Sequence, residues 1–401
     1  MFASLLSLRA RGLASCLLAG LLAAGCGGGV DSGGTGAQPT SFASGPITGF
    51  GSVIVNAVHY DDSSASVRDG SGALRSRDDL RLGMTIDVRG SAIGVDNSGN
   101  PASTASSIVF SSEIVGPLAA SDFAAGTLVV FGQTVDIAAS TVFGESLAGG
   151  QAALAFGTVV EVYARLDVAT GRYAATRVDT RPAGTAFSLR GVVSDLDAVA
   201  RSFSFGGARI SYAGVAAVPA TLANGRFIRA ALAPAPGAGV VLTATALSDG
   251  APPIEDHDEA KLEGRVSAFT STIAFSVNGT PVDARNASFD DGSAGLVLGA
   301  RVEVEGTIVG GVLVATRVKV KDGGGGGDDD DDEFEVSGAI VSLDTVGKTF
   351  VVREVTVSYS GSVDFRDGTA ADLAVGRKVE VRGALTADGT RLQAERIEFD
   401  D

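Results

Sequence analysis

Catalysis by side chains draws on a short list of residue types, and this chain is poor in them. It has two His, two Cys and no Trp in 401 residues. A Ser/His/Asp relay would have to use His59 or His257. His59 lies in the alternating stretch Val58-His59-Tyr60, on the face opposite both neighbours, as an exposed strand residue does. His257 sits in Glu255-Asp256-His257-Asp258-Glu259, a metal cluster on paper, but one beside Pro252-Pro253, where it reads as linker. Hard cations such as Ca²⁺ and Mg²⁺ favour carboxylate oxygens, and Asp328, Asp329, Asp330, Asp331 and Asp332 offer them. That run lacks the spaced ligands and the turn of a defined loop, so it reads first as a solvated acidic linker. The pairs Asp61-Asp62 and Asp290-Asp291 precede Ser or Gly and read as turns. A glycosidase needs two carboxylates converging on a sugar with stacking aromatics, and aromatics make up only 6% of the chain. Gly45, Gly49 and Gly51 lead into Val53-Ile54-Val55, a strand and not the helix that a phosphate loop requires. These observations argue against an enzyme and indicate no cofactor.

Two features are less ordinary. Tyr60, Tyr212 and Tyr359 fall at one position of a recurring strand, where other copies carry Ile137 and Ala284. Barrel-interior packing is the first reading of these tyrosines, and a shared binding face is the second. The other feature is Cys26. Arg9 and Arg11 precede an apolar run, Gly12 to Ala24, that is too short to span a bilayer as a permanent helix. It ends Leu22-Ala23-Ala24-Gly25-Cys26, followed by Gly27-Gly28-Gly29. This resembles a bacterial lipobox, with Ala23 where Leu is usual. The resemblance implies cleavage after Gly25 and lipidation of Cys26, with an outer-membrane destination because Gly27 is not Asp. Cys16 would leave with residues 1–25, so the mature chain would hold no free thiol for a disulfide or a nucleophile.

The net charge is −16, and losing Arg9 and Arg11 would make the remainder more acidic. Such a field repels phosphate backbones, which excludes nucleic acid as a natural partner. Membrane attachment would then rest on the lipid rather than on charge.

The elements that must position any site come from a repeat. Ala374-Val375-Gly376-Arg377-Lys378-Val379-Glu380-Val381-Arg382-Gly383 recurs as Leu82 to Gly90, Phe156 to Val162, Asn224 to Ala230 and Leu298 to Gly306. The glycines 83, 157, 225, 299 and 376 stand about 70 residues apart. Alternation of Lys378, Glu380 and Arg382 with Val379 and Val381 predicts strands with one buried and one wet face. The expected fold is all-β: five tandem small OB-like β-barrels, or β-sandwiches, on a flexible lipidated tether. The segments are a signal peptide (1–25), a tether (26–44), repeats at 45–114, 115–180 and 186–248, a linker (249–259), a repeat at 260–322, a Gly/Asp linker (323–333) and a last repeat at 334–401. The linkers suggest loose beads as much as a stacked array, with the fifth unit free to move.

Gly45-Pro46-Ile47-Thr48-Gly49-Phe50-Gly51-Ser52-Val53, Asp79-Leu80-Arg81-Leu82-Gly83-Met84 and the endings Ala315-Thr316-Arg317-Val318 and Ala394-Glu395-Arg396-Ile397 resemble the bacterial domain of unknown function 5666. The resemblance extends over residues 45–400, best in the first, fourth and fifth copies. It implies exported lipoproteins and brings no catalytic residue. The expectation is a lipid-anchored envelope protein that acts as a non-enzymatic binding, scaffold or surface module, with an unidentified envelope protein or glycan as partner. A carbohydrate- or peptide-binding protein using OB-like faces is the alternative, and a hydrolase comes third.

Overall fold

The computed structural model describes residues 39–234, 241–250, 254–290, 292–321 and 333–400. Cys26 and the signal segment, Asp328 to Asp332, Pro252-Pro253 and Asp291 lie outside them. Among the described residues the chain is all-β, and its helical elements are the single turns Arg77–Asp79, Gly150–Ala153 and Ala370–Asp372.

The strands form small barrel-like sheets. Residues 114–181 show the pattern most simply. The first strand, Ile114–Asp122, pairs antiparallel with Thr127–Val130, which pairs with Gln133–Asp136. Gln133–Asp136 runs parallel to Arg172–Arg181. Arg172–Arg181 pairs with Val159–Asp167, which returns to the first strand. The order 1-2-3-5-4-1 therefore closes, which removes the free edges that Val-rich strands would otherwise expose. Residues 187–249, 257–321 and 334–399 repeat this circuit. Residues 40–110 follow it with a broken first strand, Thr40–Pro46 and Gly49–Phe50, and an added hairpin, Ser66–Asp69 with Leu74–Arg75. These five groups of strands are numbered one to five below.

The recurring glycines have one physical role. Gly83, Gly157, Gly225, Gly299 and Gly376 all take positive φ, between 77° and 88°. Each is the third residue of a four-residue turn closed by a backbone hydrogen bond, as from Met84 N to Arg81 O and from Arg377 N to Ala374 O. That conformation is open to Gly at no steric cost. Each glycine N–H also donates to the first strand of its own group, at Leu118, Val193, Val266 and Ile340, or for Gly83 to Ile47 in the break of that strand. The turn thereby aims the fourth strand at the first.

The groups are not loose beads. Ser41 to Ser44 of group one runs parallel to Glu259 to Leu262 of group four. Gly49-Phe50 runs parallel to Glu335-Val336 of group five. Ile114-Val115 of group two pairs with Leu189 and Ser188 of group three. Arg81 is ion-paired with Glu354, and Phe143 N donates to Gly389 O, so group five is fastened to groups one and two. Three apolar cores serve the five groups: one shared by groups one and five with Val142 and Tyr163 of group two inserted, one by groups two and three, and one in group four with Phe42 inserted. A unit of about 65 residues buries too little surface to be secure alone, which is the physical reason for sharing.

Two boundaries shift accordingly. Small residues make 26–44 read as tether, yet Thr40–Pro46 is a strand with Phe42 and Ala43 buried. The span 249–259 reads as linker, yet the strand His257–Ser271 begins inside it.

Candidate functional site

The residues that could do chemistry are not brought together. Tyr60 is fully buried, and burial pushes its phenol up to about 12, away from any proton transfer near neutrality. Tyr212 is buried against Phe203, their rings 5.8 Å apart, and Tyr359 is half-buried against Phe350 at 5.9 Å. The three tyrosines pack cores and present no common face. His59 is half-buried rather than exposed, with Nδ1 3.8 Å from Asp96. His257 is buried, its ring 5.6 Å from Phe42 and its Nδ1 3.1 Å from Thr40 Oγ1. The acids around it fasten backbone: Asp256 accepts from Gly310 N (2.6 Å), Asp258 from Thr40 N (3.0 Å) and Glu259 from Ile93 N (2.7 Å). No group of residues placed to hold a metal ion occurs among the described residues.

The site the fold does build lies between groups. A cleft of about 810 Å³ is walled by groups one, two and three. A smaller chamber of about 190 Å³ lies between groups one to four, and the two cavities share Gly70, Ser111 and Arg229 as lining. Their walls are the outward faces of the repeat strands. Four residues after each turn glycine the sequence reads Asp87, Glu161, Arg229, Glu303 and Glu380. Period two turns this position away from the barrel interior. In groups one to three it turns into the cavities, so the face that reads as solvated in sequence is here a lining.

Most charges in the cleft are matched. Asp69 pairs with Arg75 at 2.6 Å, Asp179 with Arg177 at 2.7 Å, and Glu161 with Arg181. Arg229 differs. Its Nη1 donates to Ser112 O at 2.7 Å and its Nη2 to Ser111 Oγ at 2.9 Å, both neutral acceptors. Burial pulls its pKa below the ordinary arginine value, against the attraction of Glu113.

In the chamber, Glu113 is buried. Its Oε1 accepts from Arg190 at 2.6 Å, while its Oε2 meets no donor. Asp87 is exposed and lines the same chamber. Desolvation raises its pKa, against a hydrogen bond from Ser44. Glu263 and Arg165 close the floor with a 2.6 Å ion pair between groups four and two.

A second charged cluster lies where group five meets group one. Glu335 stands on the strand that pairs with Gly49, 3.0 Å from Arg382. Burial, and then the Glu380 carboxylate, push Glu335 up to about 7 despite Arg382. The folded protein therefore holds this proton more tightly than the unfolded chain, whose carboxyl titrates near 4.5. The stabilisation is complete below pH 4.5 and is lost as pH rises through about 7. Raising pH from 5 to 8 should thus lower the melting temperature by the equivalent of about 1–2 kcal/mol after allowance for solvent screening. Glu335→Gln should flatten this slope. Equal slopes in the two proteins would overturn the assignment.

The sequence model of a family described as Domain of unknown function (DUF5666) matches residues 115–179, 263–319 and 337–398. The chain carries repeats that resemble this domain. The DUF5666 matches are groups two, four and five. Group one is unmatched although its motifs look among the best in sequence, and its broken first strand and extra hairpin depart most from the shared circuit. No curated protein and no solved structure matches the chain.

The cavity linings were not legible in advance, because nothing local says which outward face meets another group. One signal did exist. At the fourth position after the turn glycine, four copies carry a carboxylate and the degenerate third copy carries Arg229.

Proposed function

We propose that this chain is a non-enzymatic binding protein of the cell envelope, made of five tandem OB-like barrels and held to a membrane through lipid on Cys26. The observation that supports binding over a purely architectural role is the cleft shared by groups one to three. Its volume of about 810 Å³ lies in the range of small-ligand sites, roughly 300–1,000 Å³. A scaffold of stacked barrels needs no such concavity. A hydrolase gains no support, since the cleft carboxylates Asp69, Glu161 and Asp179 are occupied by arginines and Asp79 caps Ser76 N. A sugar platform gains little, because Phe110 is buried and Phe187 packs against Phe131.

Two measurements test the reading. The Cys26→Ala chain should leave the membrane pellet and stay soluble, whereas wild-type levels in the pellet would refute anchoring. The small-molecule fraction of an envelope extract should raise the melting temperature of that soluble chain. If no such fraction stabilises it, the binding role fails.

A further inference from the structure

The charges at the junction of cleft and chamber are only partly matched. On the cleft side is Arg229, whose guanidinium reaches Ser112 O and Ser111 Oγ and has no ion-pair partner among the described residues. On the chamber side are Glu113, whose Oε1 is held by Arg190 while its Oε2 meets no donor, and the exposed Asp87, which has no ion-pair partner among the described residues. A buried polar atom left like Glu113 Oε2 costs free energy unless something completes it. Water can do so, but water does not account for the separation of sign. A ligand with an anionic and a cationic end does.

We propose that Arg229 and the Asp87/Glu113 pair form the two poles of a site for a small zwitterion of the amino-acid or short-peptide class. The guanidinium takes the ligand carboxylate, and the chamber carboxylates take its ammonium group. Guanidinium and carboxylate match in a planar, two-hydrogen-bond geometry. The apolar wall of Val115, Phe110, Ala231 and Leu247 leaves room for small side chains along the cleft. The repeat itself supports a specialised role for Arg229. Its counterparts Asp87, Glu161, Glu303 and Glu380 are all acidic, and Glu161 and Glu303 are matched by Arg181 and Lys261. The third copy has reversed the sign, and of these five equivalent residues Arg229 alone lines both cavities.

This proposal deepens the binding role above and rests on it, and its test separates the two. Trialanine, N-acetyl-trialanine and trialanine amide are titrated calorimetrically into the full chain. Trialanine should bind, and each capped form should bind about 10- to 100-fold more weakly, the worth of one charge-assisted hydrogen-bonded contact. Arg229→Ala should erase binding and Arg229→Lys should keep part of it. Asp87→Asn should remove the preference for trialanine over its N-acetyl form while leaving the preference over the amide. Circular dichroism and melting curves check that each variant is folded, and Asp87→Asn, facing solvent in the chamber, serves if Arg229→Ala does not fold. Absent trialanine binding, or equal binding of all three peptides, overturns the proposal. If an envelope fraction stabilises wild type and Arg229→Ala alike, the protein binds something, but not through this site.

Discussion

Replacing Glu263 by alanine is expected to destabilise the protein by about 3–5 kcal/mol at neutral pH, the usual cost of stripping a buried charge of its partner. Glu263 is 3% exposed and receives Arg165 of group two at 2.6 Å and Arg301 of its own group at 2.9 Å. Burial opposes its charge, but the two guanidiniums overcome this and hold the carboxyl at about 2. The variant leaves the Arg165 guanidinium, 12% exposed, without that carboxylate. The sign of the acid response follows. Because the folded pKa is depressed from 4.5, the pair stabilises the protein above that value, and its contribution fades as pH falls from 4.5 towards 2. Urea unfolding at pH 7 should show the loss, and the gap between wild type and variant should shrink at pH 3. A variant within 1 kcal/mol of wild type at pH 7 would refute a structural role for the pair.

The second large effect belongs to Gly383. In groups one, four and five the fifth strand carries a bulge, at Ser106, Thr316 and Glu395, opposite Gly90, Gly306 and Gly383 of the fourth. A Cβ on Gly383 would lie 2.0 Å from the carbonyl oxygen of Gln393, and one on Gly306 would lie 2.1 Å from that of Val314. The obstacle is backbone of the paired strand, which cannot turn aside as a side chain can. Gly383→Ala must therefore dissolve the bulge or part the strands, at a cost of about 2–3 kcal/mol. Thermal unfolding reads this directly. Gly157→Ala is the control, because its Cβ would meet nothing within 4 Å and only its positive φ resists the change. If Gly383→Ala is no worse than the control, close approach is not what keeps glycine there.

These two residues also mark how far the sequence could be read. Gly383 and Gly376 are legible because their cause is local: a turn and a bulge recur wherever the same strand pair forms. The alternation of Val379 and Val381 with charged neighbours likewise reports a barrel wall. Glu263 was not legible, since its partner Arg165 is 98 residues away and belongs to another group. The face of Glu380 and Arg382 reads as solvated for the same reason, yet Arg382 reaches Glu335 at 3.0 Å beside the junction with group one. Thr40 to Ser44 reads as tether because its residues are mostly small, and only the neighbouring strands Thr85–Ser91 and His257–Ser271 make it part of a strand. His257 reads as linker because its neighbours are acidic. The structure uses those acids to fasten backbone groups that sequence cannot place beside them.

The pairing of Ser41 to Ser44 with Glu259 to Leu262 sets the order of synthesis against the order of assembly. Thr40 and Asp258, hydrogen-bonded at the start of this ladder, are 218 residues apart in the chain. The first group of strands to be made must hold one edge open until the first strand of the fourth has been made. Such long-range pairings close slowly, and an unpaired edge is where a half-made chain meets its neighbours. The barrel synthesised first is thus not the first to be finished, and the interval before its edge is covered is when this protein is most exposed to misassembly.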